Sequence, residues 1–392
     1  MTVRVVHEGP SAIVGVGAVS GCGWDFASLV DGVASGVSSA REQEVDGLRT
    51  VAATIPPHPD GADRGGDVPR FEAASMAAVG GALADARSRG WEPGHTVGLI
   101  WCTGVADIRT IRDTYFREAR PKPSMFPRML HTSLGSLLSQ EHGLTGPHVV
   151  VNSACSSGNV ALQTAELWLA TGLATDVIVA GAEMCLIAEG LTGFRRMRVL
   201  LGEDQPLTDC RPFQEGSKRF FLGEGAVGLV VTTSSERPRA AYLGGATTHD
   251  AFHLVAPEPE GRELERSYRD ALESAAAKAG DIALVKAHGS GTPINDRVEE
   301  ALLDRLFPAS TKVCSYKPLL GHCMAAAALV ELAGLLASYE AGVLPPHVTD
   351  DPADPRLPNG GPPPDGLVLA GSVGLGGANA VAILDIPRGD PS

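Results

Sequence analysis

Three short stretches of this 392-residue chain carry residue types that do chemistry at spacings that bring chemistry together. In VVVNSACSSGNVAL, Val149 to Leu162, a single cysteine sits where a β-branched run gives way to apolar residues at helical spacing. The small residues of SACSSG permit a sharp turn and the close approach of another backbone. Cys155 then falls at or near the first turn of a helix, where unpaired amide N–H groups and the helix dipole favour a thiolate. A strand–turn–nucleophile–helix arrangement suits acyl transfer, with Cys155 as the attacking group. The plainer alternative is a buried structural thiol. In VKAHGSGTPINDRVEE, His288 ends the strand IALVKA and opens a Gly/Ser/Thr loop; in CSYKPLLGHCMAAAALVEL, Lys317 and His322 flank a glycine turn before an alanine-rich helix. Taken singly, each histidine is as well explained by packing, and Lys317 by an exposed charge.

The elements that must position these groups alternate along the chain. Strand candidates SAIVGVGAVS, HTVGLIWCTGV, PHVVVNSA, TDVIVAGAEM and GAVGLVVTT precede Arg239; DIALVKAHGSG, STKVCSYKP and GLVLAGSVGLGGANAVAIL follow it, separated by helices such as ELERSYRDALESAAAKAG. The pattern predicts an α/β protein with mostly parallel sheets. The two halves echo one another, and NSACSSGNVAL shares its rhythm with GSVGLGGANAVAIL. IPPHPDGADRGGDVPR and DDPADPRLPNGGPPPDG read as surface loops.

Composition narrows the function. A chain with 44% hydrophobic and 20% charged residues fits a packed globular enzyme. The net charge of −14 argues against nucleic acid as a partner. The seven scattered cysteines, without a CxxC pair or Cys/His metal spacing, predict free thiols, no metal site and a cytoplasmic location. The N-terminus lacks a signal-peptide layout, and no apolar run reads as a membrane span, so no membrane partner is expected.

In this order, SAIVGVGAVSGCG, SACSSG, RPFQEGSKRFFLGEGAVGLVV, AHGSGT, KPLLGH and GLGGANA resemble the β-ketoacyl synthases, the condensing enzymes of fatty acid and polyketide synthesis, most closely the elongating type with a Cys-His-His triad. The resemblance runs over almost the whole chain. It implies a thiolase-like α/β fold of two similar halves, with mixed sheets and helices in five layers. Residues 1–239 would carry the nucleophile and residues 240–392 both histidines, with the site between them. It implies catalytic roles for Cys155, His288, His322 and Lys317. Asp296 and Glu299 would be the supporting acidic pair, with Glu299 paired to Lys317. The backbone amides of Cys155 and Leu375 would form the oxyanion hole, and Ser290, Thr292 and Leu375 would bind the phosphopantetheine arm.

The implied reaction is decarboxylative Claisen condensation of an acyl group on Cys155 with a malonyl thioester in a specialised polyketide or fatty-acid-like pathway. The enzyme itself would need no cofactor, since its substrates ride on phosphopantetheine of an acyl carrier protein. The family is dimeric, so the partner would be a second copy or a homologous chain-length-factor subunit. A non-condensing acyltransferase of the same fold is the alternative. Acyl carrier proteins are acidic, as this chain is, so docking requires a local basic patch. Arg195, Arg196 and Arg198 in GFRRMRVLL are the candidates, with internal salt bridges as their alternative use, and FREARPKPSMFPRML is a second basic stretch. Two departures stand out. Leu375 replaces the phenylalanine usual in GFGG, and Ala325 and Ala328 stand where glycines are usual.

Overall fold

The computed structural model describes residues 9–61, 68–116, 126–202, 205–233, 235–346 and 355–388. Residues 117–125 of the second basic stretch lie outside the described residues, as do 62–67 and 350–354 of the two Pro/Gly segments. Numbered along the chain, the strands of the first half are β1 (Ser11–Ser20), β2 (Arg41–Val45), β3 (Leu48–Ala53), β4 (Val97–Cys102), β5 (His148–Val151), β6 (Asp176–Glu183), β7 (Leu222–Gly223) and β8 (Gly225–Thr232). The second half supplies β9 (Ala240–His249), β10 (Ile282–Lys286), β11 (Lys312–Cys314), β12 (Leu367–Gly374) and β13 (Ala378–Asp385).

The two halves share one topology. From the middle of the large sheet outward, the first half runs β1-β8-β6-β4-β5 and the second β9-β13-β12-β10-β11. In each, the two inner pairings are antiparallel and the two outer pairings parallel. The sheet is therefore mixed rather than mostly parallel. Short antiparallel pairing of Ser11–Ile13 with Ala240–Tyr242 stitches the halves together. This repeat corrects the sequence comparison of NSACSSG with GLGGANA. The structural counterpart of the β5–Cys155 turn is the segment after β11, which holds Lys317 and His322. The GLGG run is instead the tight turn of the β12–β13 hairpin, which the sequence reading took as one element.

Two helices fill the space between the half-sheets. Ser157–Ala170 follows Cys155, touches β4 and β6 on one side and β9, β12 and β13 on the other, and packs against Ala327–Ala341. Arg70–Ser88 covers the outer face of the first half, and Arg262–Ser274 that of the second. The order helix–sheet–helix–sheet–helix gives the five layers. Gly158 lets the two central helices touch, since a Cβ there would lie 3.0 Å from that of Ala328. The methyl of Ala328 thus occupies room that its neighbour leaves. Met324–Ala341 is long and apolar enough to cross a membrane, contrary to the sequence expectation, but 83% of it is buried as the core of this fold.

Candidate active site

The turn after β5 holds Cys155 in a buried position. Ala154 takes a left-handed φ of 48°, a conformation that costs a non-glycine residue energy and that reaction centres retain. Ser157 Oγ accepts from Ser153 N–H at 2.9 Å and donates to the Ala154 carbonyl at 2.7 Å, bracing the turn. The helix proper begins two residues after the cysteine, at Ser157. Cys155 is 3% exposed. Burial pushes its thiol up to about 11, against the opposing pull of Lys317 and a backbone amide of Leu375. The thiolate expected from the helix start is therefore not the resting state. The desolvation of the sulfur outweighs the charge and amide that favour its anion.

His322 reaches that sulfur from the other half of the chain. Its N–H donates to the Phe221 carbonyl at 2.8 Å, and its own carbonyl accepts from Gly223 N–H at 3.1 Å, so β7 grips it from both sides. This grip needs glycine, because a Cβ on Gly223 would fall 2.3 Å from the Leu320 carbonyl oxygen. His322 Nε2 lies 3.3 Å from Cys155 Sγ. Its Nδ1 accepts the Met324 N–H at 3.1 Å, so in the neutral ring the proton sits on Nε2. Burial, with Lys317 nearby, lowers its pKa to about 3 and keeps the ring neutral.

His288 leaves the end of β10 and is fixed by its backbone. Glu299, on the helix Pro293–Leu306, accepts the N–H groups of His288 and Gly289 at 2.6 and 2.8 Å. Lys317 Nζ donates to the His288 carbonyl and stands 3.4 Å from its Nδ1. An ammonium can only donate, so His288 also carries its proton on Nε2. Burial and the Lys317 charge hold its pKa well below the ordinary imidazole value. The two imidazole centroids are 5.6 Å apart.

Lys317 does not pair with Glu299. Its ion pair is with Glu331 at 2.5 Å, and Lys286 takes the other oxygen of the same carboxylate at 2.7 Å. Glu299 is occupied by backbone amides and by Asn295. Burial raises the pKa of both members of the acidic pair, Asp296 to about 7. Asp296 accepts from the amides of Phe213 and Gly291, so the pair shapes the His288 loop from beneath. Glu331 and Lys286 are absent from the sequence reading. Each is a single charge inside an apolar run, AALVELAGLL and IALVKA, and a lone charge in such a run is a signal of buried pairing.

The remaining predicted residues converge on one cavity of about 380 Å³. Cys155, His288, Ser290, Thr292, His322 and Leu375 all line it, with Phe194, Met197, Val199, Phe220, Met324 and Val373 giving it an apolar wall. The β12–β13 turn is pressed onto the nucleophile turn, since a Cβ on Gly374 would meet the Ser153 carbonyl at 2.6 Å. That contact brings the Leu375 amide to the sulfur. Leu375 itself is 42% exposed at the mouth. Ser290 and Thr292 hydroxyls bond each other at 2.8 Å. Of the three arginines, Arg198 lines the cavity and Arg196 is exposed, whereas Arg195 donates to the Arg49 carbonyl. Lys218 joins Arg198 at the cavity and pairs with Asp209 at 3.0 Å. Among the described residues no group of three or more His, Cys, Asp or Glu is placed to hold a metal ion.

Residues 11–237 match the N-terminal domain of the β-ketoacyl synthases and residues 239–349 their C-terminal domain. The chain belongs to the β-ketoacyl synthase family. Its members are acyl-transferring condensing enzymes, and the synthase has relatives along its full length. The 3-oxoacyl-[acyl-carrier-protein] synthase 2 of Rhizobium meliloti (strain 1021) is 30% identical over 416 residues, covering 95% of this chain and 97% of its own. The ishigamide ketosynthase/chain length factor structure superposes with a TM-score of 0.82 at 25% identity, over 96% of this chain and 99% of that one. The AntDE:AntF complex, a type II PKS acyl-carrier protein with its ketosynthase, shares the fold with a TM-score of 0.81 at 19% identity, covering 96% and 99%.

Proposed function

We propose that the synthase loads an acyl group on Cys155 and condenses it with a malonyl thioester, with the residue roles that follow. The observation that carries the reading is that both imidazoles have Nδ1 engaged and line one cavity with Cys155 Sγ, leaving two neutral Nε2–H donors. In the first step Cys155 attacks the acyl thioester. Its S–C bond forms as the carrier's S–C bond breaks, and the thiol proton leaves with the departing carrier thiolate. The amides of Cys155 and Leu375 stabilise the tetrahedral oxyanion. In the second step the malonyl thioester loses carbon dioxide. The electron pair of the broken C–C bond delocalises onto the thioester oxygen, where His288 and His322 donate. The enolate carbon then attacks the acyl-Cys155 carbonyl, the chain grows by two carbons, and the sulfur leaves as a thiolate that takes up a proton from solvent. Lys317 and Glu331 hold the imidazoles; Ser290 and Thr292 face the phosphopantetheine arm.

The substrates are carried by an acyl carrier protein, and no cofactor of the enzyme's own enters a step. The synthase works as a dimer, with a second copy or with a homologous chain-length-factor subunit. Arg196 and Arg198 offer positive charge for an acidic carrier on a chain of net charge −14. Reversing both to glutamate should weaken turnover with a carrier-linked donor more than with a small soluble thioester; equal loss would count against docking there. The function itself is tested by intact-protein mass spectrometry and carbon dioxide release. The parent protein gains one acyl mass, Cys155→Ala gains none, and malonyl thioester yields carbon dioxide only while both histidines are present. Acyl loading without any carbon dioxide release would mark a non-condensing acyltransferase instead.

A further inference from the structure

Two buried lysines share one buried carboxylate beneath the site. Glu331 is 2% exposed and already has a partner in Lys317, yet Lys286, 1% exposed, occupies its second oxygen. A second lysine in a wholly buried position carries a desolvation cost of several kcal/mol that one carboxylate does not need. Lys286 is the last residue of β10, two residues before His288, which leaves that end of the strand. The Lys286 side chain reaches the central layer, where it meets Glu331 on Ala327–Ala341.

We propose that Lys286 is a positioning residue for the condensation: it holds Oε2 of Glu331, fixes Oε1 on Lys317, and so keeps Lys317 against the carbonyl and Nδ1 of His288. Its positive charge has the sign that opposes imidazole protonation and favours an enolate oxygen. The groups that face the two rings are Cys155 from the nucleophile turn, Lys317 from the segment after β11, Glu331 from the central helix, Lys286 from β10, Glu299 from Pro293–Leu306, and each ring to the other. Lys286 is among the charges that lower the pKa of both His288 and His322, and it is not among those acting on Cys155. Its removal should therefore separate decarboxylation from loading.

The inference rests on the condensing reading above, and its test is built to fail separately. Lys286→Met and Lys286→Arg are compared with the parent for carbon dioxide release from a malonyl thioester of a small soluble thiol, across pH, and for Cys155 loading by a short acyl thioester. Lys286→Met should lose on the order of tenfold in decarboxylation, the scale of coupling within one hydrogen-bond network. Its acid limb should move to higher pH than the parent's, because one of the charges that hold both imidazoles down is gone. Loading should change by less than about twofold, and Lys286→Arg should restore the acid limb. Equal loss of loading and decarboxylation, or an unchanged pH profile in Lys286→Met, overturns the proposal. Failure of both variants to fold, together with Lys286→Gln, makes the lysine a folding requirement and also overturns it. If the parent loads acyl groups but releases no carbon dioxide, the condensing reading falls. Lys286 is then judged by NMR titration of His288 and His322: higher imidazole pKa values in Lys286→Met sustain its role, and identical titrations end it.

Discussion

The reactive sulfur is held as a thiol, and this sets its behaviour toward electrophiles. Because burial raises Cys155 to about 11, alkylation by iodoacetamide should accelerate steadily from neutral pH upward without levelling off near pH 8. A plateau below that point, followed by intact mass, would show a thiolate at rest. At the mouth, Leu375 lacks the ring that the family's phenylalanine supplies. Leu375→Phe should narrow the range of acyl donors, slowing loading of bulky donors more than short ones; unchanged rates across chain length would refute a gating role. At this scale the ordered motifs around Cys155, His288 and His322, more than any one of those residues, picked out three side chains that line one cavity. Lys317 was mispaired, because nothing in DRVEEALLDRL or LVELAGLL reveals which glutamate faces it. That choice is made by three-dimensional packing across fourteen residues of chain.

The grip of β7 on His322 turns a single glycine into a determinant of reactivity. Gly223→Ala places a methyl against the Leu320 carbonyl, so the His322 loop must shift. Decarboxylation should fall sharply while Cys155 still loads, measured by gas release and mass together. Glu331→Gln is expected to act on stability as well. It leaves two buried ammonium groups without their carboxylate, and loss of one partner of a buried pair costs about 3–5 kcal/mol, readable as a lowered denaturation midpoint. The strong β-branched runs were legible as strands because their burial is continuous. β9 and the small sheet of β2, β3 and β7 were not: AAYLGGATTH is interrupted by glycines, and Leu222–Gly223 is too short to show a period.

Across the molecule, one edge of the large sheet stands out. β5 is the last strand of its half, and its residues are exposed or half-buried, whereas β4, β6 and β8 are buried throughout. An apolar edge strand with free backbone groups is a template for pairing with another chain. Val149, 37% exposed, should lie at the dimer contact, so Val149→Asp is expected to shift the protein toward monomer in light scattering. An unchanged dimer would place the contact elsewhere. The duplicated topology was only hinted at in the sequence, because the halves share strand order and direction rather than residues.

The stitch between β1 and β9 has a further meaning for how substrates arrive. Arg239, the residue just before β9, is clamped by both oxygens of Asp85 and by Glu340 and lies 4.9 Å over the ring of Phe26. These contacts tie helices of both halves to the stitch and so oppose a jaw-like opening between them as the way in for a long acyl arm. Passage is then expected to fall to small pieces at the rim, above all the exposed leucine-bearing hairpin tip that lines the cavity, set against a braced chassis.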